Sequence, residues 1–298
     1  RQRHLTIPCE MCIRDRASTT PSFCTGSGTS PLTVTIVAAG PCSLSANQAG
    51  NGTYNPAPQV SQTLTINQAP QSIAFSDPGT QTYNVAGTFS LSALGGGSGN
   101  AVTFSSNSPT ICSVVGNTVS ELRAGTCALQ ADQAGNSNYL AATPATRNVT
   151  ILPAPTVTTI DSSLPASSSR TNQAVDVAVS VSGADPTGTV TVQARNGAVV
   201  VSSCVATLSA PSAGVATGSC TLAASSMKPR DGVNRLVAAY SGDDSDDTST
   251  SSDFAFSVLP GDVAITPVVS DVTVVSGEVI SVTVALDAVA PALGPVTG

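Results

Sequence analysis

The residues best suited to chemistry stand in two runs, one at the start of the chain and one at 240–253. His4, Cys9 and Cys12 form a Cys-x-x-Cys pair with a nearby imidazole. Thiolate and imidazole could together hold zinc, or the two thiols could cycle between reduced and oxidised forms. A structural zinc needs four ligands, and Cys24 is the nearest candidate for the fourth. A thioredoxin-type redox pair needs a βαβ setting, and the surrounding sequence does not offer one. The second cluster is "YSGDDSDDTSTSSD" over 240–253, with Asp243, Asp244, Asp246, Asp247 and Asp253. Calcium takes six to eight oxygens, so Asp243, Asp244, Asp246 and Asp247 are candidate ligands. The run lacks the glycine and distal glutamate of an EF-hand loop, and a solvated turn that uses Asp for its backbone chemistry is the competing reading.

Catalysis finds few candidates. His4 is the only histidine, so a Ser-His-Asp or Cys-His site has one base to choose from. "GGGSGN" (95–100) misses the nucleophile elbow because Asn100 stands where the last glycine belongs, and it has neither the Gly-Lys nor the following helix of a phosphate loop. A hairpin tip suits it better. With only three glutamates, a pair of catalytic carboxylates is also poorly supplied. The expectation is a protein that is not an enzyme and needs no cofactor, calcium excepted.

The rest of the chain must supply the elements that position these residues. Its 298 residues are 10% charged and 3% aromatic, have no Trp, and contain Lys228 as the only lysine. Val, Ala, Ser, Thr, Gly and Pro dominate, which favours pleated strands and turns. No basic patch marks a nucleic-acid partner, and no run approaches the ~18 apolar residues of a membrane-spanning helix. Charge is distributed unevenly. Residues 1–16 hold Arg1, Arg3, Arg14 and Arg16, whereas from residue 17 onward the net charge is −9.

An internal repeat organises the first half. "CSLSANQAGNGTYNPAPQVSQTLTI" (42–66) returns as "CALQADQAGNSNYLAATPATRNVTI" (127–151), which places Cys42 on Cys127, Tyr54 on Tyr139 and Ile66 on Ile151. Upstream, Cys24 matches Cys112. In the complete copy "SIAFS", "TFSLSA", "AVTFSS", "ICSVV", "TVSEL", "CALQAD" and "RNVTI" read as strands separated by Gly, Pro, Asn and Asp. Seven short strands at this spacing predict a two-sheet β-sandwich. A second type of unit begins near "PAPTVTTI". In it Asn196-Gly197 joins two alternating runs, predicting a hairpin with a type I′ turn at that pair. "SGEVISVTVAL" (276–286) then repeats "TNQAVDVAVSV" (171–181). The expected divisions are 17–67, the second half of a truncated repeat; 68–152, a complete repeat; 153–260, a second-type unit; and 261–298, the start of another.

Past residue 16 the cysteines fall into pairs, Cys24/Cys42, Cys112/Cys127 and Cys204/Cys220, one per unit. Their spacing suits a local staple between neighbouring strands, with buried free thiols as the alternative. Closing a loop of this length stabilises by roughly 3 kcal/mol. Disulfides would imply an oxidising compartment. Tyr54 and Tyr139 follow "QAGN" in both copies. They could stack on carbohydrate, although a packing role with a bonded hydroxyl explains a fixed position better.

Two resemblances follow from these residues. "FSSNSPTICSVVGNTVSELRAGTCALQADQAGNSNYLAAT" resembles the bacterial Ig-like repeats that occur in tandem in large surface and secreted proteins. "PTGTVTVQARNGAVVVSSC", "GVATGSCTL" and "LVAAYSGDDSDD" are similar to a second bacterial Ig-like class. The resemblance implies an all-β chain of tandem Ig-like β-sandwiches, extracellular or on the cell surface. It implies a spacer or stalk, or else an adhesive module whose loops bind glycan or protein. Its partners would be neighbouring Ig-like modules and a surface ligand. Antibody-type domains differ in having a core Trp, and their inter-sheet bridge spans more sequence than these cysteine pairs do. Residues 11–16, "MCIRDR", instead resemble translated sequencing-adapter DNA, so 1–16 is expected to be a non-native, disordered leader on an internal fragment of a longer protein.

Overall fold

The computed structural model describes residues 15–28, 32–269, 275–277, 279 and 281–289. His4, Cys9 and Cys12 lie outside the described residues.

Alternation translates directly into layers. In the strand Val175–Ser182, Val175, Val177, Val179 and Val181 are wholly buried while their neighbours face outward. A pleated strand sends successive side chains to opposite faces, so four valines at period two make one apolar face. The strand pairs antiparallel with Val157–Leu164 on one edge and Val215–Leu222 on the other. A second sheet runs in the order Val199–Thr207, Thr189–Asn196, Arg235–Tyr240, Ser249–Thr250. Its inward residues Val190, Val192, Ala194, Leu236, Ala238 and Tyr240 join the four valines in a single core. Burying one such side chain stabilises by about 1.5–3 kcal/mol, so a core of small residues needs both sheets in full. The result is a β-sandwich.

Residues 74–152 build a second sandwich on the same principle. The sheet Val102–Ser106, Gly125–Gln133, Ala145–Leu152, Gln81–Thr82 faces the sheet Cys112–Val115, Thr118–Glu121, Thr88–Ser90. Phe75, Leu91, Val119, Leu129, Val149 and Ile151 fill the space between them. All seven expected strand segments contain strand residues. Gln81–Thr82 is an addition: two polar residues show no alternation, yet they pair in parallel with Ile151 and Leu152. Among the described residues there is no α-helix, only a short 3-10 turn at Pro229–Asp231. The fold is all-β, built from two-sheet sandwiches.

Two expectations need correction. The hairpin after Thr189–Asn196 forms, but Asn196 pairs with Val199, so the turn falls on Gly197 and Ala198. Gly197 alone takes a positive φ, +55°. Asn196 stays in the strand, and its side-chain amide donates to the Asp231 carbonyl at 3.1 Å. The cysteine pairs, moreover, are not staples within a sheet. Disulfides join Cys24 to Cys42, Cys112 to Cys127 and Cys204 to Cys220, with Cα separations of 5.6, 5.7 and 5.8 Å. Each links strands of two different sheets. The chain changes sheet between the two cysteines of every pair, so a 15- to 18-residue separation is enough to span the sandwich.

The first copy reproduces the complete one only in part. Asp15–Ser18 pairs with Gly40–Gln48 in the register that Val102–Ser106 keeps with Gly125–Gln133, and Arg16 stands where the complete copy has Phe104. The strand thus includes the last two residues of the segment expected to be a leader. Gly40 and Gly125 share a φ of +138°, lying over the Phe23 and Ile111 side chains respectively. At the other end Val263–Val269 and Val282–Ala288 form an antiparallel hairpin.

Candidate functional site: the junction loops

The acidic run becomes intelligible residue by residue. Asp243 closes a side-chain turn: one carboxylate oxygen accepts the N–H groups of Ser245 and Asp246, both at 2.8 Å, and its own N–H donates to the Asp246 carbonyl at 3.0 Å. Short acceptor side chains favour such turns because they mimic a backbone carbonyl. The other oxygen accepts the Thr187 N–H at 2.8 Å and the Thr187 hydroxyl at 2.6 Å. Asp246, only 1% exposed, accepts the Ala184 N–H at 2.8 Å and the Asp185 N–H at 3.1 Å, one on each oxygen. A Cβ on Gly183 would collide with this carboxylate, so glycine is required there.

The remaining acids point elsewhere. Asp244 pairs with Arg123 of the preceding sandwich at 3.0 Å, and Asp253 pairs with Arg235 at 3.4 Å. Asp247 accepts the N–H of Thr248 at 2.7 Å. Among the described residues no set of three or more His, Cys, Asp or Glu is placed to hold a metal ion. The four candidate calcium ligands are therefore not drawn into one shell. Two hold backbone, one makes an exposed ion pair and one caps its neighbour.

Electrostatics divides the two inner carboxylates. Burial pushes Asp243 up, but the bonds from Thr187, Ser245 and Asp246 outweigh it and hold the group below its usual range. That stabilisation is present above the ordinary carboxylate pKa and is lost as pH falls through the depressed one. Asp246 has the opposite sign. Burial raises it against the Ala184 and Asp185 bonds, with Asp243 and Asp185 adding repulsion. Its charged form therefore costs stability that is recovered as pH falls through its raised value. Asp243→Asn keeps the turn acceptor and removes the charge. The variant is expected to show a smaller loss of Tm between about pH 6 and about pH 3 than the parent. An equal or larger loss in a thermal melt series would contradict this account. Nearby, burial raises the Tyr240 hydroxyl, with Asp243 adding, and burial and Asp185 raise Tyr83.

The loop also holds the entering chain. Ala154 donates its N–H to the Ser245 carbonyl and accepts the Asp247 N–H, both at 2.8 Å. The Ala124 N–H, from the preceding sandwich, donates to the Ser245 hydroxyl at 3.4 Å. Tyr83, Leu122 and Arg123 on one side and Asp185, Thr187 and Asp243 on the other line an open polar hollow of about 300 Å³.

The same construction occurs one unit earlier. Asn136 accepts the Asn138 and Tyr139 N–H groups at 2.8 and 3.0 Å and donates its own N–H to the Tyr139 carbonyl at 2.9 Å. Ala69 donates to the Asn138 carbonyl at 2.8 Å and accepts the Leu140 N–H at 2.9 Å. Ala39, upstream, donates to the Asn138 side chain at 2.9 Å. Asn136 and Asp243, Asn138 and Ser245, Ala69 and Ala154, Ala39 and Ala124 thus fill matching roles. Sequence reading missed this because "QAGNSNY" and "YSGDDSDD" look unrelated. The available signal was the Ala-Pro shared by the linkers "NQAP" and "LPAP". Asn51 makes the first-copy version of the turn, accepting from Thr53 and Tyr54, both at 2.9 Å. Tyr139 packs against Gly97, where a Cβ would meet its ring, whereas Tyr54 is 57% exposed.

Sandwiches joined by built junctions define the class, an all-β chain of two-sheet sandwiches. No family model and no curated protein matches the chain. Among solved structures it is similar to the Yersinia pseudotuberculosis adhesin InvE at 15% identity and a TM-score of 0.31, over 62% of this chain and 58% of that one. It is similar also to the D00-D0 domain of intimin (13% identity, TM-score 0.25, 62% of this chain and 98% of that one). A third is the N-terminal eight Ig domains of the Down syndrome cell adhesion molecule (7% identity, TM-score 0.25, 87% and 38%). The chain spans less than two thirds of InvE, and likenesses this distant transfer no residue roles.

Proposed function

We propose that the chain is a non-catalytic spacer or stalk segment of a bacterial extracellular or cell-surface protein. In this reading it is divided into Ig-like units at 17–67, 68–152, 153–260 and 261–298. The observation that carries the reading is the recurrence of one junction. At Ala69 and again at Ala154 the linker is bonded on both sides to the loop of the unit it enters, and that loop accepts an N–H from the unit before. A stalk needs this: each unit must fix the angle of the next, and short Pro-containing linkers reduce the freedom left over. The three disulfides suit an oxidising environment outside the cytoplasm.

Ala154→Pro removes the N–H that the junction uses while leaving both cores untouched. With spin labels on the two sandwiches, the parent is expected to give one narrow distance distribution and the variant a broad one. A broad distribution in the parent would defeat the spacer reading. The adhesive alternative predicts instead that the chain attaches to a glycan or cell-surface panel and loses attachment on loop-tip substitution.

A further inference from the structure

Each junction is closed by a loop that belongs neither to the linker nor to the turn beside it. The run "GGGSGN" (95–100), expected as a hairpin tip, joins strands of two different sheets, Ala93–Leu94 and Val102–Ser106. Its three consecutive glycines each lie against a different side chain. A Cβ on Gly95 would meet the Gln133 amide at 2.6 Å, one on Gly96 would meet the Gln71 Cβ at 2.6 Å, and one on Gly97 would meet the Tyr139 ring at 2.5 Å. Glycine serves close approach at these positions.

Hydrogen bonds identify what the close approach holds together. Gln71, two residues past the linker's Ala69, accepts the Ser98 N–H at 2.9 Å and donates to the Leu140 and Ala134 carbonyls at 2.8 and 3.2 Å. Asn100 donates to the Ala134 and Gly135 carbonyls at 3.1 and 2.9 Å, and the Asn136 amide donates to the Ser98 carbonyl at 2.9 Å. The buried Gln133 accepts the Gly96 N–H at 2.7 Å and donates to the Asn100 carbonyl at 2.8 Å. Linker, loop 95–100 and turn 134–140 are thus one network, and within it Asn138 reaches the preceding unit at Ala39. Among the described residues, no hydrogen bond from 95–100 itself reaches that unit.

The same three parts meet at Ala154. Thr156, again two residues past the linker alanine, donates to the Asp247 carbonyl at 2.8 Å, and its methyl lies 3.0 Å from where a Cβ on Gly183 would stand. Gly183 opens the loop 183–187, whose N–H groups Asp243 and Asp246 accept. This loop too joins strands of different sheets, Val175–Ser182 and Thr189–Asn196.

We infer that 95–100 and 183–187 are latches: each holds its linker against the neighbouring turn, and the freedom of the joint is set more by the latch than by the linker prolines. Close packing over a connected network leaves the linker one position, whereas a proline restricts only its own φ and the residue before it. This rests on the spacer reading, which requires a held angle, and adds to it a control placed inside one unit.

The test uses the full chain with spin labels on Ala57–Ile66 and Ala145–Leu152, either side of the Ala69 junction, together with amide exchange at Ala69 and Leu140. Gly96→Ala, which drives a methyl into Gln71, and Asn100→Ala, which removes two bonds, are both expected to broaden the distance distribution. Exchange at Ala69 and Leu140 is expected to quicken roughly tenfold, as the loss of one or two hydrogen bonds implies. Pro70→Ala keeps the bonds at Ala69 and is expected to change both readings less. Asn100→Ala carries the test if the methyl at 96 unfolds the sandwich. Unchanged distances and exchange in the folded latch variants would overturn the inference, as would a larger change in Pro70→Ala. A parent that is already broad defeats the spacer reading alone, and the exchange rates then still decide the latch.

Discussion

Replacing Cys112 and Cys127 together by alanine is expected to destabilise the chain by about 3 kcal/mol, the largest effect of any change considered. The disulfide closes a loop with a sequence separation of 15, and its loss returns that loop's freedom to the unfolded chain. Two further losses act in the same direction. Both cysteines are wholly buried between the sheets, so truncation leaves an internal void among Val119, Leu129 and Val149. The hydroxyls of Ser106 and Ser108 also lose their contacts to the Cys112 sulfur, at 3.3 and 3.6 Å. For a sandwich of this size each kcal/mol corresponds to roughly 4–8 °C in Tm. Calorimetry should therefore show one transition falling by more than 10 °C or so while the other stays in place. Cys204 and Cys220 are partly exposed, so their replacement should cost less. Equal effects at the two bridges, or none, would show that the sandwich around Leu129 does not depend on its bridge.

The second large effect is expected at Asp246. Asp246→Ala leaves the Ala184 and Asp185 N–H groups without their acceptor in a loop that Gly183 has shaped around the carboxylate. Hydrogen bonds to a charged group contribute about 1.5–3 kcal/mol each. Relief of repulsion from Asp243 and Asp185 offsets part of this, so a net loss of about 2–3 kcal/mol is expected. Asp246→Asn should fall between, because an amide supplies one acceptor oxygen where two are used. Urea melts of the three proteins rank them directly. If the alanine variant matches the parent, water replaces the carboxylate without cost and the junction loop is looser than its bonds suggest.

Much of this molecule was legible from local pattern. Period-two alternation named the buried faces, since a strand has only two sides: "AVDVAVSVSG" could hide its valines only by packing them against another sheet. The spacing of turn residues separated the strands, and the offset of 85 residues aligned two copies whose registers prove identical. Cysteine pairing by unit was also readable, because each copy carries its own two.

The tertiary structure decided what depends on neighbours distant in sequence. Which sheet a strand joins is set by non-local packing, so the cysteine bridges cross between sheets although their separations suggested a local staple. The Asn196-Gly197 turn moved by one residue because the hairpin's register shifts between Ala194 and Arg195, which leaves Asn196 paired with Val199. Gln81–Thr82, with no apolar alternation, is a strand only because the Ile151 edge is there to pair with it. The acidic run looked like one site because its residues are adjacent in sequence. In the fold each carboxylate meets a different partner, among them Thr187, Ala184 and Arg123, which lie 56 to 121 residues away. Alternation sets which way a side chain faces along its own strand, and only the packed chain sets what it faces.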